Sequence, residues 1–367
     1  VSKTSDNPNL PRIEYEDVIS GEGQLKQKFY NKKNLKKGIE FEPNDILFGK
    51  LRPYLKNWIF AIFKGIAVGD WWVLRPINYN NRFVYYLIQT SRYQTAANLS
   101  TGTKMPRSDW KVVSQTIFYT PNNIQEQGHL AQVLISLESL IKLYQEKLTL
   151  YESMKKGMIQ NIFPANDNAT PNLRRNEFSE DWTQYNLGDL ANIVRGASPR
   201  PIKDKKWFDE DSDVGWLRIS DVTQQEGRIR YLEQHISKLG QNKTRVLTEP
   251  HILLSIAASV GKPVINYVKT GVHDGFLIFL NPKFKIEFMF QWLEMFQSSW
   301  RHYGQPGSQV NLNSDLVKNQ RINLPNVEEQ KEIGDFLLEI DNSINIQRKK
   351  IKNLQATKKY LLQKLFI

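Results

Sequence analysis

The chain has 367 residues and sets 50 Lys and Arg against 38 Asp and Glu, a formal net charge of +12. That length can bury two or more cores, and a hydrophobic fraction of 40% separates it from disordered chains. The basic balance suits a polyanionic partner, nucleic acid first, while the absence of cysteine excludes disulfides, thiolate metal sites and thiol catalysis and fits a cytoplasmic location.

Residues 1–121 read as a first mixed α/β module. The opening "VSKTSDNPNL" is polar and has no apolar core, so no secretory signal is expected there. Short apolar runs, "DILFG" and "WWVLRP", predict strands, and "NNRFVYYLIQTSRYQTAAN" predicts a helix from its apolar spacing. Trp71 and Trp72 lie in a strand-like run and read as core. In "GKLRPYLK", Lys50, Arg52 and Lys56 form a basic cluster suited to phosphate neutralisation or to a solvated face. The loop from Gly102 to Arg107 offers Thr103, Lys104 and Arg107 as donors, and an arginine can grip guanine bidentately. It reads as a DNA contact, with a plain fold-closing loop as the alternative.

Residues 122–163 predict a long helix. Asn123 stands at the N-cap with Glu126 three residues on, a variant capping box. Apolar residues then alternate at 4-3 spacing from Leu130 to Ile162, a coiled-coil seam interrupted by Lys155. Residues 164–182, rich in Pro, Asn and charge, read as a linker.

Residues 183–325 predict a second mixed module, with strands at "HILLSIA" and "FLIFLNP" and a helix at "KIEFMFQWLEMFQSSWRHY". It opens with a lead-in, "YNLGDLANIVRGASPRPIKDKKWFDE", that has no counterpart in the first half. Arg195, Arg200 and Lys203, with Lys205 and Lys206, form a third basic cluster for phosphates. The loop at 307–313 presents Ser308, Gln309, Asn311 and Asn313, and amide side chains pair with adenine. Residues 326–367 predict a second long helix, capped by Asn326 and with Lys358 in its seam.

These elements form a tandem repeat. "KKGMIQNIF" at Lys155 returns as "KKYLLQKLF" at Lys358, 203 residues later, and the match extends back without a gap to Asn123 and Asn326. More weakly, Gly69–Pro76 matches Gly275–Pro282, and Arg12-Ile13 pairs with Arg218-Ile219. Catalytic patterns are missing: there is no Walker loop, no GxGxxG, no Asn-Pro-Pro-aromatic run, and the five histidines are scattered. Gly21-Glu22-Gly23 lacks the third glycine, and His273-Asp274 reads as structural.

With "GDLANIVRGASPRPI", "NDILFGKLRPYL", "GIAVGDWWVLRP", "STGTKMPRSDW" and the paired "EQ…KK…F" helices in view, the chain resembles the specificity subunits of type I restriction-modification systems over nearly its full length. The resemblance implies an α+β fold. Two tandem target recognition domains would be separated by two long antiparallel coiled-coil helices, which hold them apart as a ruler. It implies a non-catalytic subunit that reads a bipartite, asymmetric site in double-stranded DNA. Two methyltransferase subunits would dock on it, with a motor-nuclease subunit as a further partner. It implies that the chain binds no cofactor itself and that S-adenosylmethionine belongs to the partner methyltransferase. The missing lead-in puts the first recognition domain in question. An enzyme with an unrecognised site and a protein-only scaffold are the two other classes the sequence leaves open.

Overall fold

The computed structural model describes residues 1–26, 36–99, 104–164, 170–256, 259–300 and 312–366. The chain divides into two compact units, Val1–Lys147 with Gln347–Ile367, and Leu148–Ile346. Each unit combines short strands, short helices and parts of both long helices.

In the first unit the strands are β1 (Thr4–Ser5), β2 (Arg12–Ile13), β3 (Val18–Ile19), β4 (Gln24–Leu25), β5 (Gly38–Phe41), β6 (Ile46–Gly49), β7 (Trp58–Phe60), β8 (Gly65–Ala67) and β9 (Trp71–Leu74). They form one sheet in the order β1-β5-β8-β2, another in the order β7-β6-β9, and the hairpin β3-β4. Gly21 and Gly23 turn that hairpin with φ of 76° and 68°, so the GxG pattern is a turn signal. Helices α1 (Asn81–Leu87), α2 (Ser91–Ala97) and α3 (Trp110–Ser114) follow, then α4 (Ile124–Ile162). The single helix expected over "NNRFVYYLIQTSRYQTAAN" is thus two, because Thr90 leaves the helical conformation and its hydroxyl caps α2 at the amide of Tyr93.

The second unit holds β10 (Thr183–Asn186), α5 (Leu187–Leu190), β11 (Asn192–Arg195), β12 (Gly215–Trp216), α6 (Ile219–Gln224), β13 (Arg228–Ile229), α7 (Lys238–Gln241), β14 (Arg245–Leu247), β15 (Ile252–Ser255), β16 (Pro263–Asn266), β17 (Thr270–Val272), β18 (Phe276–Leu280), α8 (Ile286–Phe296), α9 (Ser314–Lys318) and β19 (Arg321–Leu324), before α10 (Val327–Lys364). Its sheets run β12-β17-β14, β11-β18-β15-β16-β13 and β10-β19.

The sheets carry the repeat. The antiparallel set β7-β6-β9 recurs as β16-β15-β18, with Leu47 opposite Val73 in one and Leu253 opposite Ile278 in the other. The set β5-β8-β2 recurs as β14-β17-β12, with the outer strand parallel in both. This topology corrects the front match. Arg12-Ile13 occupies the place of Trp216-Leu217, and the next position is held alike in both. The amide of Glu14 donates to Asp17 at 2.8 Å, and that of Arg218 to Asp221 at 2.9 Å. Strand pairing and capping outweigh a dipeptide identity.

The lead-in of the second half supplies β10, α5 and β11. β18 therefore has a partner on each edge, whereas β9 is hydrogen-bonded along its length only by β6 among the described residues.

Every seam position expected on α4 and α10 is buried or half-buried, from Leu134 and Ile141 to Leu337, Ile344 and Ile351. Within the first unit Glu138 meets Lys358 at 2.6 Å, and Lys350 lies over the Tyr144 ring, so the helix segments run antiparallel. Within the second unit Lys155 meets Asp341 at 2.6 Å. Asp341 stands 203 residues after Glu138, so the two lysines that interrupt the seam pair with acids at matching positions.

Two buried glutamines hold the helix starts. Gln127 donates to the Pro121 carbonyl at 2.7 Å and accepts the Asn80 amide at 2.8 Å. Gln330 donates to Pro325 at 2.9 Å and accepts the Lys285 amide at 2.9 Å. Asn123 and Asn326 cap as expected, on the amides of Gln125 and Glu329. The acidic arm of the second box does other work: the Glu329 carboxylate takes two hydrogen bonds from Arg174, at 2.8 and 2.7 Å, and a longer one from Trp182. The end of the expected linker is therefore folded in, with Trp182 buried against Phe163 and Phe288. Gln330→Ala is expected to cost the second unit about 1–3 kcal/mol, because it leaves the buried Pro325 carbonyl and the part-buried Lys285 amide without this partner. Urea denaturation measures this, and an unchanged midpoint would refute it.

Candidate nucleic-acid interface

In the first unit two segments that carry candidate residues are joined backbone to backbone. Arg52 donates its amide to Pro106 at 2.7 Å, Ser108 donates to Lys50 at 2.8 Å, and Leu51 bridges Arg107. Arg52 and Lys56 both adopt left-handed backbone, φ 50° and 54°, on either side of a 3-10 turn at Pro53–Leu55. Such geometry is uncommon for residues with a Cβ. Here the Lys56 carbonyl is held by the Gly21 amide at 2.9 Å and the Lys56 amide by Pro53.

The side chains converge on Asp70, in the turn between β8 and β9. The Arg107 guanidinium donates Nε to its carboxylate at 3.1 Å, and the Lys50 ammonium lies 3.6 Å away. The Asp70 carbonyl accepts the Lys50 amide and the Tyr15 hydroxyl. That same hydroxyl oxygen accepts the Leu51 amide at 3.1 Å. Burial pushes the Tyr15 phenol up to about 12, so it stays a neutral donor. Arg107 keeps 55% of its side-chain surface exposed. Lys104 and Lys56 are exposed on adjoining turns. Trp71 is core, as expected, whereas Trp72 is half-buried between Phe48 and the exposed Trp110.

The second unit repeats the device with other residues. Asp274 lies in the equivalent turn, between β17 and β18, one position out of strand register with Asp70. Its carboxylate accepts the Ser198 hydroxyl at 2.7 Å and Arg200 at 2.6 Å, and its carbonyl accepts Arg195 Nε at 2.6 Å. Burial alone would raise its carboxyl, but the Ser198 hydrogen bond and the Arg200 charge hold it below the ordinary value. His273 beside it is depressed by burial, and its Nδ1 accepts the Gly275 amide at 2.8 Å, as a neutral imidazole would. Ser198, Arg200, Trp216, Arg218, His273 and Asp274 border a cleft of about 260 Å³.

Lys203 is exposed beyond this cluster. Asn313 caps α9, accepting the Leu316 amide at 2.8 Å, as Asp109 caps α3. Thr103, Ser308, Gln309 and Asn311 lie outside the described residues. The structure thus joins Lys50, Arg52 and Arg107 in one unit and Arg195 and Arg200 in the other. The sequence reading passed over Asp70 and took His273-Asp274 as structural, although "GD" and "DG" at the same turn of both repeats was a signal.

Residues 179–356 match the family described as type I restriction modification DNA specificity domain. The type I restriction enzyme MjaVIII specificity subunit of Methanocaldococcus jannaschii is 24% identical over 283 residues, 72% of this chain and 64% of the relative. The chain is thus similar to specificity subunits of type I restriction enzymes, and its second half matches their domain family. A second specificity subunit of that organism, described as putative type I restriction enzyme MjaX, is 25% identical over 80% of this chain and 69% of its own length. The chain spans about two thirds of the length of these two relatives. Among solved structures, the type I restriction-modification S subunit of M. genitalium aligns over 99% of this chain and 90% of its own, with a TM-score of 0.61 at 14% identity. A chain from a study of assembly and conformational transition of the type I system aligns over 98% and 90%, with a TM-score of 0.60 at 16% identity. At such identities the likeness is one of fold: the α+β architecture with two long helices is shared with these solved subunits. Among the described residues no helix is long and apolar enough to cross a membrane.

Proposed function

We propose that this chain is a type I specificity subunit, a DNA-reading scaffold without chemistry of its own. Each unit reads a few base pairs of a split, asymmetric site. Methyltransferase subunits dock on the chain and bring S-adenosylmethionine, and a motor-nuclease subunit can join the assembly. The observation that carries this reading is the paired, dissimilar clusters. Both units mount exposed arginine around an aspartate in the equivalent turn, one with Lys50 and Arg107, the other with Arg195 and Arg200. Clusters at the equivalent turn of matching folds, built from different donors, suit two half-sites of different sequence.

Mapping methylated adenines in DNA from cells that carry the chain with its partner subunits tests the reading. A bipartite, non-palindromic motif is expected; a palindrome, or no motif, would overturn it. Turnover of DNA by the purified chain alone with Mg²⁺ and S-adenosylmethionine would overturn the non-catalytic role. Arg107→Ala is expected to weaken discrimination about tenfold at one or two positions of one half-site and leave the other intact. An equal loss on all sequences would make Arg107 a phosphate contact.

A further inference from the structure

We infer that Asp70 and Asp274 are positioning residues for base recognition: each holds the arginine of its own unit in a fixed plane, ready for a base edge. This rests on the DNA-reading role proposed above.

A free arginine must be ordered on binding, and its fork must find the right plane. Asp70 takes Arg107 Nε and lies 3.1 Å from one terminal nitrogen, which leaves the far edge of the fork for a ligand. Asp274 takes one terminal nitrogen of Arg200 at 2.6 Å. The aspartates are themselves fixed. The Asp70 backbone is tied to Lys50 and Tyr15, and the Asp274 carboxylate to Ser198. Neither cluster repels a phosphate backbone, since Lys50 and Arg107 exceed the charge of Asp70, and Arg195 and Arg200 exceed that of Asp274. The same device stands on two unlike sets of side chains, which a local ion pair of no consequence would not require.

The test is methylation mapping in cells that carry the partner methyltransferase subunits and one of five chains: wild type, Asp70→Asn, Arg107→Lys, the double variant, or Asp274→Asn. Asn keeps the size but loses the charge that aligns the guanidinium, and Lys keeps the charge but loses the fork. Asp70→Asn and Arg107→Lys should each relax the same positions of one half-site, about tenfold, and the double variant should relax them no further. Asp274→Asn should relax the other half-site alone. The inference is overturned if Asp70→Asn leaves both half-sites sharp. It is also overturned if the double variant loses as much as the two singles combined, or if both half-sites weaken together with a lowered melting temperature. A wild-type chain that directs no motif at all would instead sink the DNA-reading role itself.

Discussion

Lys155→Met is expected to destabilise the second unit by about 3 kcal/mol. Lys155 is mostly buried and sits 2.6 Å from both Asp341 and Glu294. Asp341 also accepts Arg228 at 2.9 Å and Gln291 at 2.7 Å, and Arg228 meets Glu287 at 2.5 Å. Three carboxylates thus share two cations, and removing one cation leaves three acids to one arginine. Breaking one side of a buried pair typically costs about 3–5 kcal/mol; the partial exposure of Glu294 favours the lower figure. The matching change in the first unit, Lys358→Met, should cost less, about 1–2 kcal/mol, because only Glu138 is left behind. Glu138 is 30% exposed and keeps the Tyr86 hydroxyl at 2.7 Å. Urea unfolding, localised by hydrogen exchange, checks both, and equal losses would refute the difference.

The network also sets a pH dependence. Burial opposes ionisation of Asp341, but Lys155, Gln291 and Arg228 outweigh it and depress the carboxyl. A carboxyl depressed by folding stabilises above its unfolded value, about 4, and that stabilisation is lost as pH falls through the depressed value. The gap between wild type and Lys155→Met should therefore stay flat near neutrality and narrow below about pH 4. A gap that widens in acid would contradict the assignment.

The second large effect is expected at Phe163, where Phe163→Ala should cost the second unit about 3–4 kcal/mol. Phe163 is 3% exposed and packs edge-on against Phe288 of α8 at 5.3 Å between centroids. Phe366 repeats the contact in the first unit, lying 4.8 Å from Phe83 of α1. Its replacement by alanine should cost about 2–3 kcal/mol, because it lies past the last turn of α10, where the backbone can relax into the space. Loss of exchange protection confined to the unit that carries the substitution is the expected signature. A uniform loss in both units, or none, would refute separate docking of the two phenylalanines.

Much of this was legible along the chain. The seam from Leu130 to Ile162 and its copy from Ile333 to Leu365 predicted two long helices, because heptad spacing selects one buried stripe. The shared Gln127 and Gln330 were visible as an identity, but their role depends on amides of Asn80 and Lys285, far off in sequence. The Arg12-Ile13 match failed for the same reason: strand pairing with β8 and β17, absent from the local sequence, decides the register. The basic residues of "GKLRPYLK" and "RGASPRPIKDKK" were read as separate clusters, yet Asp70 and Asp274 give them their geometry. A lone aspartate in a turn carries no periodic signal.

Periodicity, capping residues and self-similarity act over a few neighbouring residues. By themselves they determined that this chain is a duplicated protein of two mixed modules with two long seamed helices and a basic charge balance. Which residues meet was left to the tertiary structure: Lys155 with Asp341, Lys358 with Glu138, Phe163 with Phe288, Arg107 with Asp70. Those pairs lie tens to hundreds of residues apart, and ion pairs and ring contacts act only over a few ångströms. The fold had to bring each pair together before its chemistry existed.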